Sequence, residues 1–122
     1  MKLTNLKVIN ILSNITKLSE ARLKPIISLK LFKIIKTLES SYKDYSEIRS
    51  KIKLRYIINK KIIKGKENLY SNDINELLNI EIDFTFKKLN ISEFFFLNSK
   101  DEYIEYPFTT KELFVLEDIL DI

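Results

Sequence analysis

One long helix constrains this chain more than any other feature of its sequence. Apolar residues recur at alternating spacings of four and three and form a heptad seam. The seam positions are Ile27, Leu31, Ile34, Leu38, Ser41, Tyr45, Ile48 and Ile52. This spacing places them on one side of an α-helix, and Pro25 suits its first turn because the missing N–H needs no partner there. The pattern predicts a helix that runs to about Arg55 and spans roughly 40 Å at about 1.5 Å per residue.

A seam of this length must be covered, either by the chain itself or by another molecule. Thr4 or Asn5 can cap a first helix, whose broad apolar face continues to about Leu18. The helical hairpin formed in this way would cover part of the seam. The alternative is a homo-oligomer that forms through residues 27–52, and Ser41 in the middle of the seam disfavours so long a coiled coil.

The segment after the long helix predicts a small β-hairpin and then a short helix. In "YIINKKIIKGKENLY" two isoleucine pairs precede the only glycine, so we expect the hairpin to turn near Gly65 and Lys66. Ser71, Asn72 or Asp73 can cap the helix that follows. The expected buried stripe of that helix contains Ile74, Leu77 and Leu78.

The stretch "NIEIDFTFKKL", residues 79–89, has the most regular alternation in the chain. Its apolar residues are Ile80, Ile82, Phe84 and Phe86, and its polar residues are Glu81, Asp83, Thr85 and Lys87. A period of two puts these sets on opposite faces of a strand. We expect the apolar set to form the floor on which the helices pack, and residues 103–106 to form a neighbouring strand.

The last stretch, "PFTTKELFVLEDILDI", predicts a closing helix. Thr109 and Glu112 fit a capping box, and Phe108 and Leu113 fit its hydrophobic staple. The expected apolar face contains Leu113, Leu116, Ile119 and Leu120. Together these elements predict one α+β domain, residues 1–122. An N-terminal helical hairpin with one long helix would pack on a small antiparallel sheet, and a C-terminal helix would close the fold.

The residue types that are missing exclude many kinds of chemistry. The chain has no Cys and no His, and it has one Gly among 122 residues. These absences exclude disulfides, zinc–thiolate sites, the usual Ser-His-Asp triads and phosphate-binding glycine loops. Glu81 and Asp83 are the best carboxylate pair for acid/base chemistry or Mg²⁺, but Lys87 on the same face favours a solvated strand. We therefore expect a protein that is not an enzyme and that has no metal site or cofactor.

The charge is divided along the chain. Residues 1–66 contain 17 Lys and Arg against 4 Asp and Glu, whereas residues 67–122 contain 4 against 13. The formal net charge of +4 therefore conceals two parts of opposite charge. Residues 1–55 form the basic helical hairpin, and residues 56–122 form the acidic part with the β-hairpin, a helix, a strand and the last helix. The two parts either offset each other within the fold or present charged surfaces to a partner. The abundance of Lys, Ile and Asn is typical of AT-rich coding, which weakens the inference to nucleic acid.

Two sets of residues are candidates for partner binding. The acidic and aromatic set would enter a basic groove of a protein partner, and it contains Glu81, Asp83, Phe95, Asp101, Glu102, Tyr103, Glu105 and Tyr106. The basic set lies in "RSKIKLRYIINKKIIKGK" and would neutralise phosphates of nucleic acid. Its members are Arg49, Lys53, Lys60, Lys61, Lys64 and Lys66.

The N-terminal stretch predicts the compartment. "MKLTNLKVINILSNITKL" is interrupted by Asn, Ser and Thr and lacks a small-residue cleavage site. It is typical of an amphipathic helix and not of a signal peptide. The chain has no run of about 18 apolar residues, so no membrane span is expected. We expect a cytoplasmic protein without membrane contact.

The order of elements resembles a group of small phage and prophage proteins of low-GC Gram-positive bacteria. The resemblance covers nearly the whole chain, from the long helix through "INELLNIEIDFTFKKL" to the last helix. The matching positions are Pro25, Arg49, Glu76, Leu77, Leu78, Glu81, Glu112 and Leu116. The group carries over no catalytic residues. The resemblance implies a phage context, in which small non-enzymatic proteins are often inhibitors of host defence, including anti-CRISPR proteins, or virion-assembly factors.

Three functional hypotheses follow. The first is a phage-encoded binding protein that inhibits a host defence nuclease or its ribonucleoprotein, such as a CRISPR effector, by occluding a basic groove with the acidic set. The second is a self-associating structural or assembly protein that uses the seam. The third is a nucleic-acid-binding protein that uses the basic set.

Overall fold

A computed structural model of the chain describes all residues from 1 to 122. The helices are α1 (Asn5–Asn14), α2 (Thr16–Glu20), α3 (Pro25–Tyr56), α4 (Glu67–Asn79) and α5 (Thr110–Val115). The strands are β1 (Lys2–Thr4), β2 (Ile57–Ile58), β3 (Lys61–Ile62), β4 (Glu81–Asp83), β5 (Leu89–Asn90), β6 (Phe95–Leu97), β7 (Tyr103–Glu105) and β8 (Leu120–Asp121). The fold is α+β, as the sequence predicts.

The long helix α3 confirms the prediction from the heptad seam. Pro25 stands in its first turn, and Lys53 and Arg55 lie in its last turn, where cations interact favourably with the helix dipole. Its 32 residues correspond to about 48 Å at 1.5 Å per residue. The helix ends because Ile57 takes an extended conformation and begins β2.

The chain itself covers most of the seam. Six seam positions are buried, and they are Ile27, Leu31, Ile34, Leu38, Tyr45 and Ile52. Helix α1 packs on α3, and α4 packs on the distal half of α3, where Leu77 contacts Tyr45 and Ile52. Ser41 is half-buried and Ile48 is 44% exposed. The helical-hairpin prediction is therefore confirmed, and little of the seam is left for a second copy.

The first helix is shorter than predicted. It is capped by Thr4, whose Oγ1 accepts a hydrogen bond from the N–H of Lys7 at 3.1 Å. It ends at Asn14, and α2 starts two residues later. The side chains of Ser13 and Asn14 both donate to backbone carbonyls four residues earlier, a contact that competes with regular helix geometry. The break leaves Ile15 buried, so the apolar face continues through it.

The strands form four separate two-stranded sheets. Strand β4 pairs antiparallel with β1, with Leu3 opposite Ile82, and β7 pairs antiparallel with β6. The prediction that residues 103–106 lie beside the alternating stretch is therefore wrong. The N-terminus takes that place because Leu3 is almost fully buried in the main core and the backbone N–H of Asn5 donates to the carbonyl of Ile80 at 3.1 Å.

The alternating stretch is only partly a strand. Ladder pairing is limited to Glu81–Asp83, although the alternation of burial continues beyond it. Phe84 is buried, and Ile82 and Phe86 pack at the edge of the main core. Ile80 is 45% exposed, so its assignment to the core is wrong. It follows the last residue of α4 directly, before the register of β4 begins.

The small hairpin turns at a different place from the one predicted. Ile57 pairs with Ile62 and Ile58 with Lys61, so the turn consists of Asn59 and Lys60. Gly65 has φ +83° and lies in the connection between β3 and α4. Helix α4 begins at Glu67, and no side chain caps it. The prediction that Ser71, Asn72 or Asp73 caps the helix is wrong because all three lie within it.

The C-terminal helix has the predicted capping box but is short. The Oγ1 of Thr109 accepts from the N–H of Glu112, and a carboxylate oxygen of Glu112 accepts from the N–H of Thr109, both at 3.1 Å. Helix α5 ends at Val115, and the chain continues into β8, which pairs parallel with β5. The predicted apolar residues still enter the core, and Leu116, Ile119 and Leu120 are almost fully buried.

The fold has two unequal hydrophobic cores. The main core contains 17 buried residues from β1, α1, α2 and the connections that follow them, the first half of α3 and residues 84–120. The second core contains three buried residues, Tyr45, Ile52 and Leu77. We call the part around the second core, with the β2–β3 hairpin, the distal end. None of the five helices combines the length and hydropathy that a membrane-spanning helix needs.

Candidate interaction surfaces

The predicted acidic set is divided between two sheets. Glu81 and Asp83 lie on β4, which pairs with β1, whereas Asp101, Glu102 and Glu105 lie on or beside β7, which pairs with β6. All five carboxylate residues are exposed. The acidic set therefore does not form a single contact surface.

The carboxylate of Asp83 already has a partner. Its Oδ1 lies 3.5 Å from the N-terminal ammonium of Met1, which also donates to the carbonyl of Phe84 at 3.0 Å. These contacts attach the start of the chain to the end of β4. Glu81, on the same strand, is exposed and makes no ion pair. Of the pair that the sequence singles out, only Glu81 is left without a charged partner.

The turn between β6 and β7 presents two carboxylates. The Oδ1 of Asn98 accepts from the N–H groups of Lys100 and Glu102, each at 2.9 Å. Asp101 has φ 57°, a conformation that Asp tolerates better than most residues. These hydrogen bonds close a turn over residues 98–102 that holds Asp101 and Glu102 at the surface.

Two aromatic residues, Phe95 and Tyr103, adjoin this turn. The ammonium of Lys24 lies 5.1 Å from the ring centre of Phe95 and 5.3 Å from that of Tyr103, within the range of cation–π attraction. Tyr103 is 45% exposed and Phe95 is half-buried. We call Phe95, Asp101, Glu102, Tyr103 and Glu105 the acidic hairpin.

Tyr106 is not a surface anchor, which corrects its place in the predicted acidic set. It is 9% exposed, and its ring packs against those of Phe96 and Phe108. Its hydroxyl donates to Oε2 of Glu112 at 2.9 Å. Burial, and then the hydrogen bond to the Glu112 carboxylate, raise the pKa of Tyr106 to about 12. Tyr106 therefore stabilises the fold and offers no contact to a partner.

The predicted basic set, in contrast, lies together at the distal end. Arg49 and Lys53 belong to the last turns of α3, Lys60 and Lys61 to the hairpin, and Lys64 and Lys66 to the connection to α4. We call residues 49–66 the basic end. It contains eight basic residues and no acidic one, and all but the half-buried Lys53 are exposed. Lys51 and Arg55, which the predicted set omits, are exposed members of the same run and could have been found there.

No residue of the basic end makes an ion pair within 4.0 Å. The three ion pairs within 4.0 Å join Met1 to Asp83, Lys7 to Asp118 at 3.9 Å and Lys30 to Glu93 at 3.7 Å. Lys7 and Lys30 thus find partners in the acidic part, as expected if the two parts offset each other. The charges of residues 49–66 are left uncompensated at contact distance.

One hydrogen bond attaches the base of the hairpin to α4. The hydroxyl of Tyr56 donates to Oδ2 of Asp73 at 2.7 Å, and this hydrogen bond raises the pKa of Tyr56 above its ordinary value. The backbone N–H of Ile63 donates to the carbonyl of Tyr56 at 2.7 Å. The hairpin that carries Lys60 and Lys61 is thereby joined to the end of α3.

The acidic hairpin and the basic end lie at opposite ends of α3. The N–H of Lys24 donates to the carbonyl of Phe95 at 3.1 Å next to the first turn of α3, whereas β2 follows its last residue directly. Residues 25–48 of α3 lie between them and span about 36 Å at 1.5 Å per residue. The acidic hairpin and the basic end are therefore far apart, although the acidic helix α4 packs beside the basic end and Lys24 lies at the acidic hairpin.

No group of three or more acidic side chains is arranged to hold a metal ion. No protein-family model, no curated protein and no solved structure matches this chain.

Proposed function

We propose that this chain is a non-enzymatic protein that binds nucleic acid through its basic end. The observation that carries the proposal is the concentration of eight unpaired basic residues over residues 49–66. A phosphate backbone supplies the closely spaced negative charge that such a surface lacks, and its release of counterions favours binding.

The position of these residues supports a contact with the backbone. Lys60 and Lys61 lie at the turn of the β2–β3 hairpin, and Arg49 and Lys51 lie on the adjoining turns of α3. Long, exposed lysine side chains suit phosphates better than base edges, because an ammonium acts as a point charge. We expect binding that depends strongly on salt and little on sequence.

The test measures the affinity of the chain for a fluorescent DNA duplex by anisotropy at low salt. The variant Lys60→Glu/Lys61→Glu reverses two charges at the hairpin turn, and Lys17→Glu/Lys111→Glu makes the same change at exposed lysines outside the basic end. We expect the hairpin variant to lose at least about tenfold in affinity and the matched control to lose much less. Absence of binding by the unmodified chain at low salt would refute the proposal.

A second candidate function is the inhibition of a host defence nuclease. It is favoured by the acidic hairpin, where exposed Glu102 and Glu105 make no ion pair and lie beside exposed Tyr103. An exposed aromatic residue with carboxylates suits a basic protein groove. The resemblance to small phage proteins is consistent with this role.

The test for inhibition uses DNA cleavage by a purified CRISPR effector from a low-GC bacterium. Glu102→Lys/Glu105→Lys is expected to abolish inhibition, and Glu117→Lys, another exposed carboxylate, is the matched control. Equal inhibition by both variants would remove the acidic hairpin from the mechanism. The assembly hypothesis gains less support, because the seam that it requires is mostly buried.

A further inference from the structure

A cleft outside both predicted surfaces is lined by four lysines. It has a volume of about 360 Å³ and lies between α3 and the segment that leads from β4 to the 3₁₀ turn Ile91–Glu93. Helix α3 contributes Lys30 and Lys33, and the segment contributes Lys87 and Lys88. The sequence places Lys87 with Glu81 and Asp83 on one strand face, but β4 ends at Asp83 and Lys87 lies at the cleft instead.

The charge of the cleft is only partly neutralised. Its one carboxylate belongs to Glu93, whose Oε2 lies 3.7 Å from the ammonium of Lys30. The other three lysines make no ion pair within 4.0 Å. Ammonium groups that share one small cleft repel each other, so an anion bound among them removes an unfavourable interaction as well as adding favourable ones.

The floor of the cleft is apolar. Ile34 and Leu89 are buried there, and the ring of Phe86 is half-buried beside them. A partly open aromatic ring offers a face on which a planar group can stack. An anion alone would use the lysines and leave the Phe86 ring uncovered, whereas a phosphate attached to a flat base would use both.

We propose that this cleft binds a nucleotide, with the phosphates among Lys33, Lys87 and Lys88 and the base against Phe86. The volume is within the range of small-ligand sites. The same chemistry is offered by a free nucleotide and by the exposed end of a single nucleic-acid strand. The cleft is separate from the basic end, since none of its lining residues belongs to residues 49–66.

The test is calorimetric titration of the full chain with ATP at low salt. Lys33→Gln/Lys88→Gln is compared with Lys17→Gln/Lys111→Gln, which removes two exposed lysines elsewhere. We expect the cleft variant to lose about tenfold or more in ATP affinity, since two charge-assisted contacts are removed, and the control to retain it. No saturable binding of ATP, or equal loss in both variants, would overturn the proposal.

Two further titrations identify what the cleft recognises. Phe86→Leu is expected to weaken ATP binding while leaving the binding of inorganic phosphate unchanged, and equal binding of ATP by this variant would exclude stacking on the ring. A thymidine oligonucleotide that binds more tightly than ATP, and loses affinity with Lys33→Gln/Lys88→Gln, would identify a strand end as the ligand.

One variant distinguishes nucleotide binding at the cleft from duplex binding at the basic end. Lys60→Glu/Lys61→Glu is expected to weaken duplex binding and to leave ATP binding unchanged. Loss of ATP binding in that variant would show that the basic end, and not the cleft, holds the nucleotide.

Discussion

Asn59 and Lys60 occupy the two central positions of the turn that joins β2 to β3, and both have positive φ, 51° and 65° respectively. Two-residue hairpins favour this type of turn because its twist matches that of the strands. Asn tolerates the left-handed region, whereas Lys is disfavoured there. A lysine thus stands where glycine would suit the backbone better.

Replacement of that lysine should separate stability from binding. We expect Lys60→Gly to increase the free energy of unfolding by up to about 1 kcal/mol, because glycine adopts positive φ without steric cost, while weakening duplex binding through the lost charge. Chemical denaturation and anisotropy on the same preparations measure the two effects. Lower stability in Lys60→Gly would show that the turn is not strained by its lysine.

The buried carboxylate of Glu112 should be among the most costly charges to remove. It accepts from the hydroxyl of Tyr106 at 2.9 Å and from the N–H of Thr109 at 3.1 Å, and it is 8% exposed. Glu112→Ala should lower the free energy of unfolding by about 2–3 kcal/mol, because both donors lose their acceptor. The exposed Glu117→Ala should change it by less than about 0.5 kcal/mol. Similar values for the two variants would contradict this account of the capping box.

The tyrosine partner of Glu112 predicts a dependence of stability on alkaline pH. The pKa of Tyr106 is raised to about 12 in the folded chain, against about 10 for an unperturbed tyrosine. The unfolded chain therefore releases this proton at lower pH, and the stabilisation is present below about pH 10 and is lost as the pH rises to about 12.

Denaturation at a series of pH values tests this linkage, with Tyr106→Phe as the control that keeps the ring. Lysine titration affects both proteins equally, so the difference between them isolates Tyr106. The unmodified chain should lose stability more steeply between about pH 10 and 12. Parallel curves would show that the hydroxyl titrates normally.

A buried amide connects α1 to α4 at the boundary between the two cores. The Nδ2 of Asn5 donates to the carbonyl of Leu77 at 2.9 Å, and Asn5 is buried. Asn5→Ala should lower the free energy of unfolding by about 1–2 kcal/mol and should speed amide hydrogen exchange in α4. The exposed Asn10→Ala is the matched control, and unchanged exchange in α4 would show that the bond does not hold this helix.

The features that could be predicted from sequence depend on neighbours along the chain. The heptad seam of α3 and the capping box of Thr109 and Glu112 are repeats or pairs within one element, and both are confirmed. The alternation of apolar and polar residues over residues 79–89 also predicted the burial of Phe84, because alternation is a local property of an extended backbone.

The features that were missed depend on distant partners. Nothing local to Lys2–Thr4 indicates that it pairs with β4, some 80 residues later, since strand partners are chosen by tertiary packing. Gly65 is the strongest turn signal in its segment, yet the hairpin turns at Asn59 and Lys60 because the register pairs Ile57 with Ile62.

The candidate sites follow the same rule. The basic end is one continuous run, so six of its eight basic residues were found from sequence. Tyr106 looks like an exposed aromatic residue until its contact with Glu112 is known. The four-lysine cleft joins two segments more than 50 residues apart, so no sequence pattern brings Lys33 and Lys88 together.

The slope of log affinity against log salt concentration tests the central proposal most directly. Each lysine that contacts a phosphate of duplex DNA contributes about 0.9 to that slope. Lys60→Gln/Lys61→Gln should therefore lower its magnitude by about 1.8, while Lys17→Gln/Lys111→Gln should leave it unchanged. A slope that is equal in the unmodified chain and the hairpin variant would contradict a nucleic-acid contact at the basic end.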